Sequence, residues 1–88
     1  MEPIRIILEV FVESDKLDYV AAELGKLPEV VYLYEVTGKS DIVALIRTDS
    51  TSAFRDLLVH KILHIRGLRS TTSAVILKQI KNASRTFA

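Results

Sequence analysis

The sequence predicts an α+β domain with element order βαββαβ, and three observations carry that prediction. Apolar residues alternate strictly at Ile4, Ile6, Leu8, Val10 and Val12, the period of two expected of a strand. Two later stretches, Leu17 to Leu24 and Phe54 to Ile65, place apolar side chains at helical spacing. Between them, the apolar runs Val30 to Val36 and Ile42 to Ile46 are separated only by the polar turn Thr37-Gly38-Lys39-Ser40-Asp41, as in a hairpin with a short, glycine-bearing loop.

Each element follows in order. The first strand, residues 4 to 12, carries Arg5, Ile7, Glu9 and Phe11 on its second face. Ser14 or Asp15 can cap a helix bearing Leu17, Val20, Ala21 and Leu24, with Gly25 near its end. Leu27-Pro28-Glu29 breaks the pattern, because the residue before a proline avoids the helical region. A second strand is expected from Val30 to Thr37 and a third from Asp41 to Thr48, the latter apolar on both faces. Asp49-Ser50-Thr51-Ser52 supplies N-cap candidates for a helix through Phe54, Leu57, Leu58, Ile62 and Ile65, and Gly67 ends it or its trailing turn. A fourth strand is expected from about Leu68 to Ile80, polar at first and apolar from Ala74 to Leu77. Residues 82 to 88 read as a strand extension or a flexible tail.

This order is the split βαβ arrangement of ferredoxin-like domains, a four-stranded antiparallel sheet with both helices on one face. The other sheet face, to which Ile7, Phe11, Val43, Leu45, Val75 and Leu77 are assigned, has nothing in the chain to cover it. A contiguous apolar patch marks an interface, so an isologous homodimer, a dimeric α/β barrel closed through the open sheet face, is expected.

Composition narrows the function classes. Eighty-eight residues make a single domain, and 49% hydrophobic residues suffice for a compact core. A net charge of +1 gives no field that would predict binding to nucleic acid or to an anionic membrane. The late basic residues Arg66, Arg69, Lys78, Lys81 and Arg85 read as a solvated edge and tail. With no cysteine, disulfides, thiolate metal sites and cysteine nucleophiles are excluded. The N-terminus lacks the pattern of a signal peptide, and no stretch approaches the ~18 apolar residues of a membrane span, so a soluble, cytoplasmic protein is expected.

Most motif readings fail on chemistry. Gly38-Lys39-Ser40 copies the end of a phosphate-binding loop, but Leu33 stands where that motif needs another glycine and a strand follows where it needs a helix. His60 and His64 have the spacing to share a metal from one helical face, yet no third ligand is evident, and no metal or cofactor is expected. No serine sits in a nucleophile elbow, so no catalytic residue is assigned. The third strand has no aromatic residue on which an RNA base could stack, and Tyr32 and Tyr34 read as packing or interface residues. Asn82-Ala83-Ser84 matches a glycosylation acceptor only formally, since that chemistry requires export. What remains is the turn with Thr71 and Ser73: the amides of Gly38, Lys39 and Ser40 can hold a carboxylate, and Asp41 can accept an ammonium group. The competing reading has Asp41 capping its own turn, with Thr71 and Ser73 present for strand propensity.

The residues Leu27-Pro28-Glu29-Val30, Val36 to Asp41, and Gly67-Leu68 followed by Thr71, Ser73, Val75, Leu77 and Lys81 resemble the effector domain of Lrp/AsnC transcription regulators, also called the RAM domain. The resemblance runs from Ile4 to Lys81 and makes residues 1 to 88 a single such domain. It implies dimers joined through their sheets and assembled into rings, commonly octamers, with amino-acid effectors bound at contacts between dimers. It maps the ligand-binding residues onto Gly38, Lys39, Ser40, Asp41, Thr71 and Ser73, the last departing from the threonine typical there. Such regulators carry an N-terminal helix-turn-helix domain, whereas here the first strand begins close to Met1, so a stand-alone form is expected that does not bind DNA itself and can form mixed oligomers with full-length relatives. The alternatives are a barrel enzyme of the cofactor-free monooxygenase or heme-degrading type, and a ligand-free oligomerisation module.

Overall fold

The alternation in the first strand decides the architecture, because one of its faces is apolar enough to bury two helices. In the computed structural model, which describes residues 2–83, β1 spans Ile4–Val12. It pairs antiparallel with both β3 (Ile42–Thr48) and β4 (Leu68–Val75), and β3 pairs antiparallel with β2 (Val30–Glu35), giving the order β2-β3-β1-β4. Helix α1 (Leu17–Gly25) connects β1 to β2, and α2 (Thr51–His60) connects β3 to β4. The core joins Ile6, Leu8, Val10 and Val12 of β1 and Ile42, Ala44 and Ile46 of β3 to Val20 and Leu24 of α1, Phe54 and Leu57 of α2, and Ile62. Both helices therefore cover the same sheet face, and the ferredoxin-like fold is the one the sequence predicts.

Local signals were resolved unevenly. Ser50 is the cap chosen for α2: its Oγ accepts a hydrogen bond from the Ala53 N–H at 3.0 Å, satisfying a donor that the first helical turn leaves free. Ser50→Ala is expected to lower the unfolding free energy by about 1 kcal/mol in a urea titration. Neither Ser14 nor Asp15 caps α1; both lie in a 3₁₀ turn, Ser14–Lys16, and α1 starts after Lys16 without a side-chain cap. At the other end of α1, the exposed Lys26 Nζ donates to Glu23 Oε2 at 2.6 Å, and that hydrogen bond with the Glu23 charge holds the Lys26 ammonium above its ordinary pKa.

The fourth strand is shorter than expected, ending at Val75 rather than near Ile80. Val75 lies opposite Ile6 and the Ile76 N–H still donates to the Arg5 carbonyl, and the same register would set residue 78 opposite Pro3, which has no N–H to offer a ladder, so β1 has no regular partner for residues 78 to 80. The same register corrects two face assignments. Opposite residues of an antiparallel pair share a face, so Val75 sides with Ile6 and the helices, and Leu77 lies beyond the strand. The open face instead carries Arg5, Ile7, Glu9 and Phe11 of β1, Val43, Leu45 and Arg47 of β3, Tyr32 and Tyr34 of β2, and Thr72 and Ala74 of β4. Tyr32 and Tyr34 are more than half exposed and stack on each other, ring centroids 6.2 Å apart. Of the tail expected from residue 82 onward, residues 84 to 88 lie outside the described residues.

The β1–β4 ladder has one irregularity, a bulge between Phe11 and Val12, beside which Val12 faces Leu68. A bulge leaves one residue without its regular ladder partner. Here it lies next to the turn that joins β2 to β3.

Candidate functional site

The turn begins where β2 ends at Glu35, two residues earlier than the sequence pattern indicated, and it closes through the Val36 N–H donating to the Asp41 carbonyl at 3.0 Å. Gly38 takes a φ of +127°, a conformation that only glycine adopts without strain. The Asp41 N–H donates to the Val10 carbonyl at 3.0 Å, which pins the turn to β1. Among the described residues, the amides of Gly38, Lys39 and Ser40 find no hydrogen-bond acceptor. Gly38 and Lys39 are exposed and Ser40 is buried.

The Asp41 carboxylate does not cap its own turn. Its Oδ2 accepts the Val12 N–H at 2.9 Å, a contact across 29 positions of sequence, while Oδ1 has no hydrogen-bond partner among the described residues. A half-buried carboxylate held by one oxygen keeps the other available for a cationic donor.

Thr71 and Ser73 stand on the far side of β1 from the turn. Thr71 faces Val10 and Ser73 faces Leu8, so both side with the helices, Thr71 half-buried and Ser73 exposed. Ile42, next to the turn, faces Val10 from the opposite side. The turn and Thr71 are thus two strand spacings apart, roughly 10 Å, with the fully buried Val10 between them. Within one chain, no ligand can lie across Val10 on that face to touch both. The six predicted residues fall into two separate groups, not one pocket.

His60 and His64 are not on one helical face, because α2 ends at His60 and His64 belongs to a separate 3₁₀ turn, Ile62–His64. The sequence reading missed Glu29. It lines a shallow cavity of about 460 Å³ together with Pro3, Pro28, Val31, Arg47, Thr48 and Asp49, at the end of β3 away from the turn. Its Oε1 is buried without a hydrogen-bond partner among the described residues. In the sequence Glu29 stands only as part of the break after the first helix and of the family resemblance, since the cavity depends on how β2 and β3 align.

Comparison with known proteins bears on this geometry. The sequence model of the Lrp/AsnC ligand binding domain matches residues 5–86. The HTH-type transcriptional regulator FL11 of Pyrococcus horikoshii is 36% identical over 75 residues, which cover 85% of this chain and 49% of that protein. The chain therefore spans about half the length of the curated relatives it matches. The Escherichia coli AsnC structure superposes with a TM-score of 0.86 at 24% identity, covering 90% of this chain and 54% of AsnC. A Neisseria meningitidis transcriptional regulator solved as a complex with L-Met superposes with a TM-score of 0.84 at 25% identity, covering 90% of this chain and 53% of that one. No helix among the described residues is long and apolar enough to cross a membrane. With residues 5–86 of its 88 matched by the family model and the fold of AsnC reproduced, the chain belongs to the Lrp/AsnC family, and those residues correspond to its ligand binding domain.

Proposed function

We propose that this domain is a cytoplasmic, non-enzymatic sensor of an α-amino acid that regulates transcription by assembling with other copies or with full-length relatives, without contacting DNA itself. The observation that carries this reading is the polarity of the turn. Three amides, of Gly38, Lys39 and Ser40, and one oxygen of the Asp41 carboxylate have no hydrogen-bond partner among the described residues, so a single short segment offers complements to both ends of a zwitterion. The division into two groups supports binding between dimers: Thr71 and Ser73 of one chain complete the turn of another, in a ring such as an octamer. The open sheet face, with Ile7 and the stacked tyrosines exposed, supports the dimer from which such a ring is built. The L-Met complex of the Neisseria relative supports an amino acid as ligand.

Calorimetric titration of the chain with each of the twenty amino acids, alongside native mass measurement, tests the reading. At least one is expected to bind, more tightly to the ring than to the dimer. Asp41→Asn keeps an acceptor for the Val12 N–H while removing the charge, so it is expected to fold with a loss of under about 1 kcal/mol yet bind at least roughly tenfold more weakly. Equal affinity in that variant would remove Asp41 from the site, and no binding by any amino acid would end the sensor reading.

A further inference from the structure

The open face of the sheet is patterned in rows. The β1–β3 register sets Arg5 opposite Arg47, Ile7 opposite Leu45, and Glu9 opposite Val43. Since alternate residues of a strand share a face, these three pairs form successive rows on the uncovered side: one doubly basic, one apolar, one acidic. The basic and acidic rows are four residues apart along β1, roughly 13 Å, with Ile7 midway.

Two features of the basic row point to a missing counter-charge. Like charges directly opposite each other on a sheet repel and destabilise the pairing. Among the described residues, neither guanidinium has a carboxylate partner; Arg5 Nη1 donates only to the neutral Gln79 Oε1 at 3.1 Å. The half-buried Glu9, for its part, has no ion-pair partner among the described residues.

We propose that this face pairs with a second copy of the chain in the register that sets Arg5 and Arg47 of each copy against Glu9 of the other. This rests on the dimer reading given above and adds the orientation and the contacts that fix it. In an isologous contact, residue i meets j and j meets i. A two-fold axis lying in the interface and running across the strands at the Ile7–Leu45 row maps that apolar row onto itself and exchanges the basic and acidic rows. An axis running along the strands instead maps the basic row onto itself, placing four guanidinium groups together with no anion. Charge complementarity therefore selects the first orientation, and the exposed Ile7 at its centre supplies the apolar contact. Each Glu9 carboxylate then meets two guanidinium groups, whose forked donors suit a carboxylate acceptor.

Charge exchange tests the pairing. Sedimentation velocity and native mass are measured for the wild type, for Glu9→Arg, for the double variant Arg5→Glu with Arg47→Glu, and for an equimolar mixture of the two variants, with circular dichroism melts showing that each chain folds. Each variant alone puts like charges face to face, and its self-association is expected to weaken roughly tenfold or more. In the mixture, the guanidinium introduced at position 9 of one chain meets the two carboxylates introduced at positions 5 and 47 of the other. The unaltered Arg5 and Arg47 of the first chain meet the unaltered Glu9 of the second, so a heterodimer is expected with affinity near that of the wild type. A wild type that sediments as a monomer removes the dimer reading and this pairing together. A dimeric wild type whose folded variants associate as strongly as it does, or whose mixture fails to recover association, removes the pairing alone.

Discussion

Gly67→Ala is expected to lower the unfolding free energy by about 2–4 kcal/mol, combining a strained backbone with a steric overlap. Gly67 has a φ of +93°, outside the range that a residue with a Cβ adopts freely. A Cβ built there would lie 2.4 Å from Lys16 Cβ, 2.6 Å from Lys16 Cγ and 3.4 Å from Val20 Cγ2. A flexible side-chain end could swing aside, but Lys16 Cβ is fixed to the backbone of the turn that leads into α1. The overlap can be relieved only by moving that turn or the start of β4, and these are held together by the Glu13 N–H donating to the Gly67 carbonyl at 2.9 Å. Gly38→Ala is the informative comparison. Its φ of +127° carries the same kind of backbone strain, but a Cβ there meets nothing within 4 Å, so its cost is expected to be about 1 kcal/mol smaller or more. Urea unfolding of the two variants side by side measures the difference, and equal losses would mean that the Lys16 contact relaxes freely.

Leu8→Ala is expected to cost about 3–5 kcal/mol, the upper part of the range for large-to-small changes in a core. Leu8 is fully buried at the centre of the sheet, facing Ala44 on one side and Ser73 on the other. Neither small neighbour can reach into the space that a lost isobutyl group leaves, so the cavity persists. For a domain whose whole stability is of order 5–15 kcal/mol, this removes a large fraction of the folded state's margin. A thermal melt lowered by less than about 5 °C would show that the helices close onto the sheet, since about 1 kcal/mol moves the midpoint of a domain this size by several degrees.

The contrast between these sites shows what the sequence could reveal. The burial of Leu8 was legible because its face of the first strand is uniformly apolar whereas the other mixes Arg5 and Glu9 with Ile7 and Phe11, and Ser50 was legible as one of four cap candidates ahead of a helical apolar stripe. The turn at Thr37 to Asp41 was legible as a corner and as a source of amides. Register was not legible, since Val75 continues an apolar run and only its pairing with Ile6 shows which face it takes. The length of β4 was hidden for a related reason: a strand reaching Ile80 needs a partner throughout, and the register that sets Val75 opposite Ile6 brings residue 78 to Pro3, before the start of β1. The partition of the six site residues across Val10 could not be read either, because it depends on β1 lying between β3 and β4. The bond from Val12 to Asp41 joins residues 29 positions apart, and no local pattern announces it.

That hydrogen bond gives the domain a built-in reporter. The Val12 amide proton points at the carboxylate that is proposed to take the ammonium group of an effector, so occupancy would draw charge from the acceptor and weaken its pull on that proton. The Val12 resonance should then move upfield in a nitrogen-proton correlation spectrum as ligand is added. Val12 also faces Leu68, at the beginning of β4, so the residue that reports on the turn adjoins the strand that carries Thr71 and Ser73.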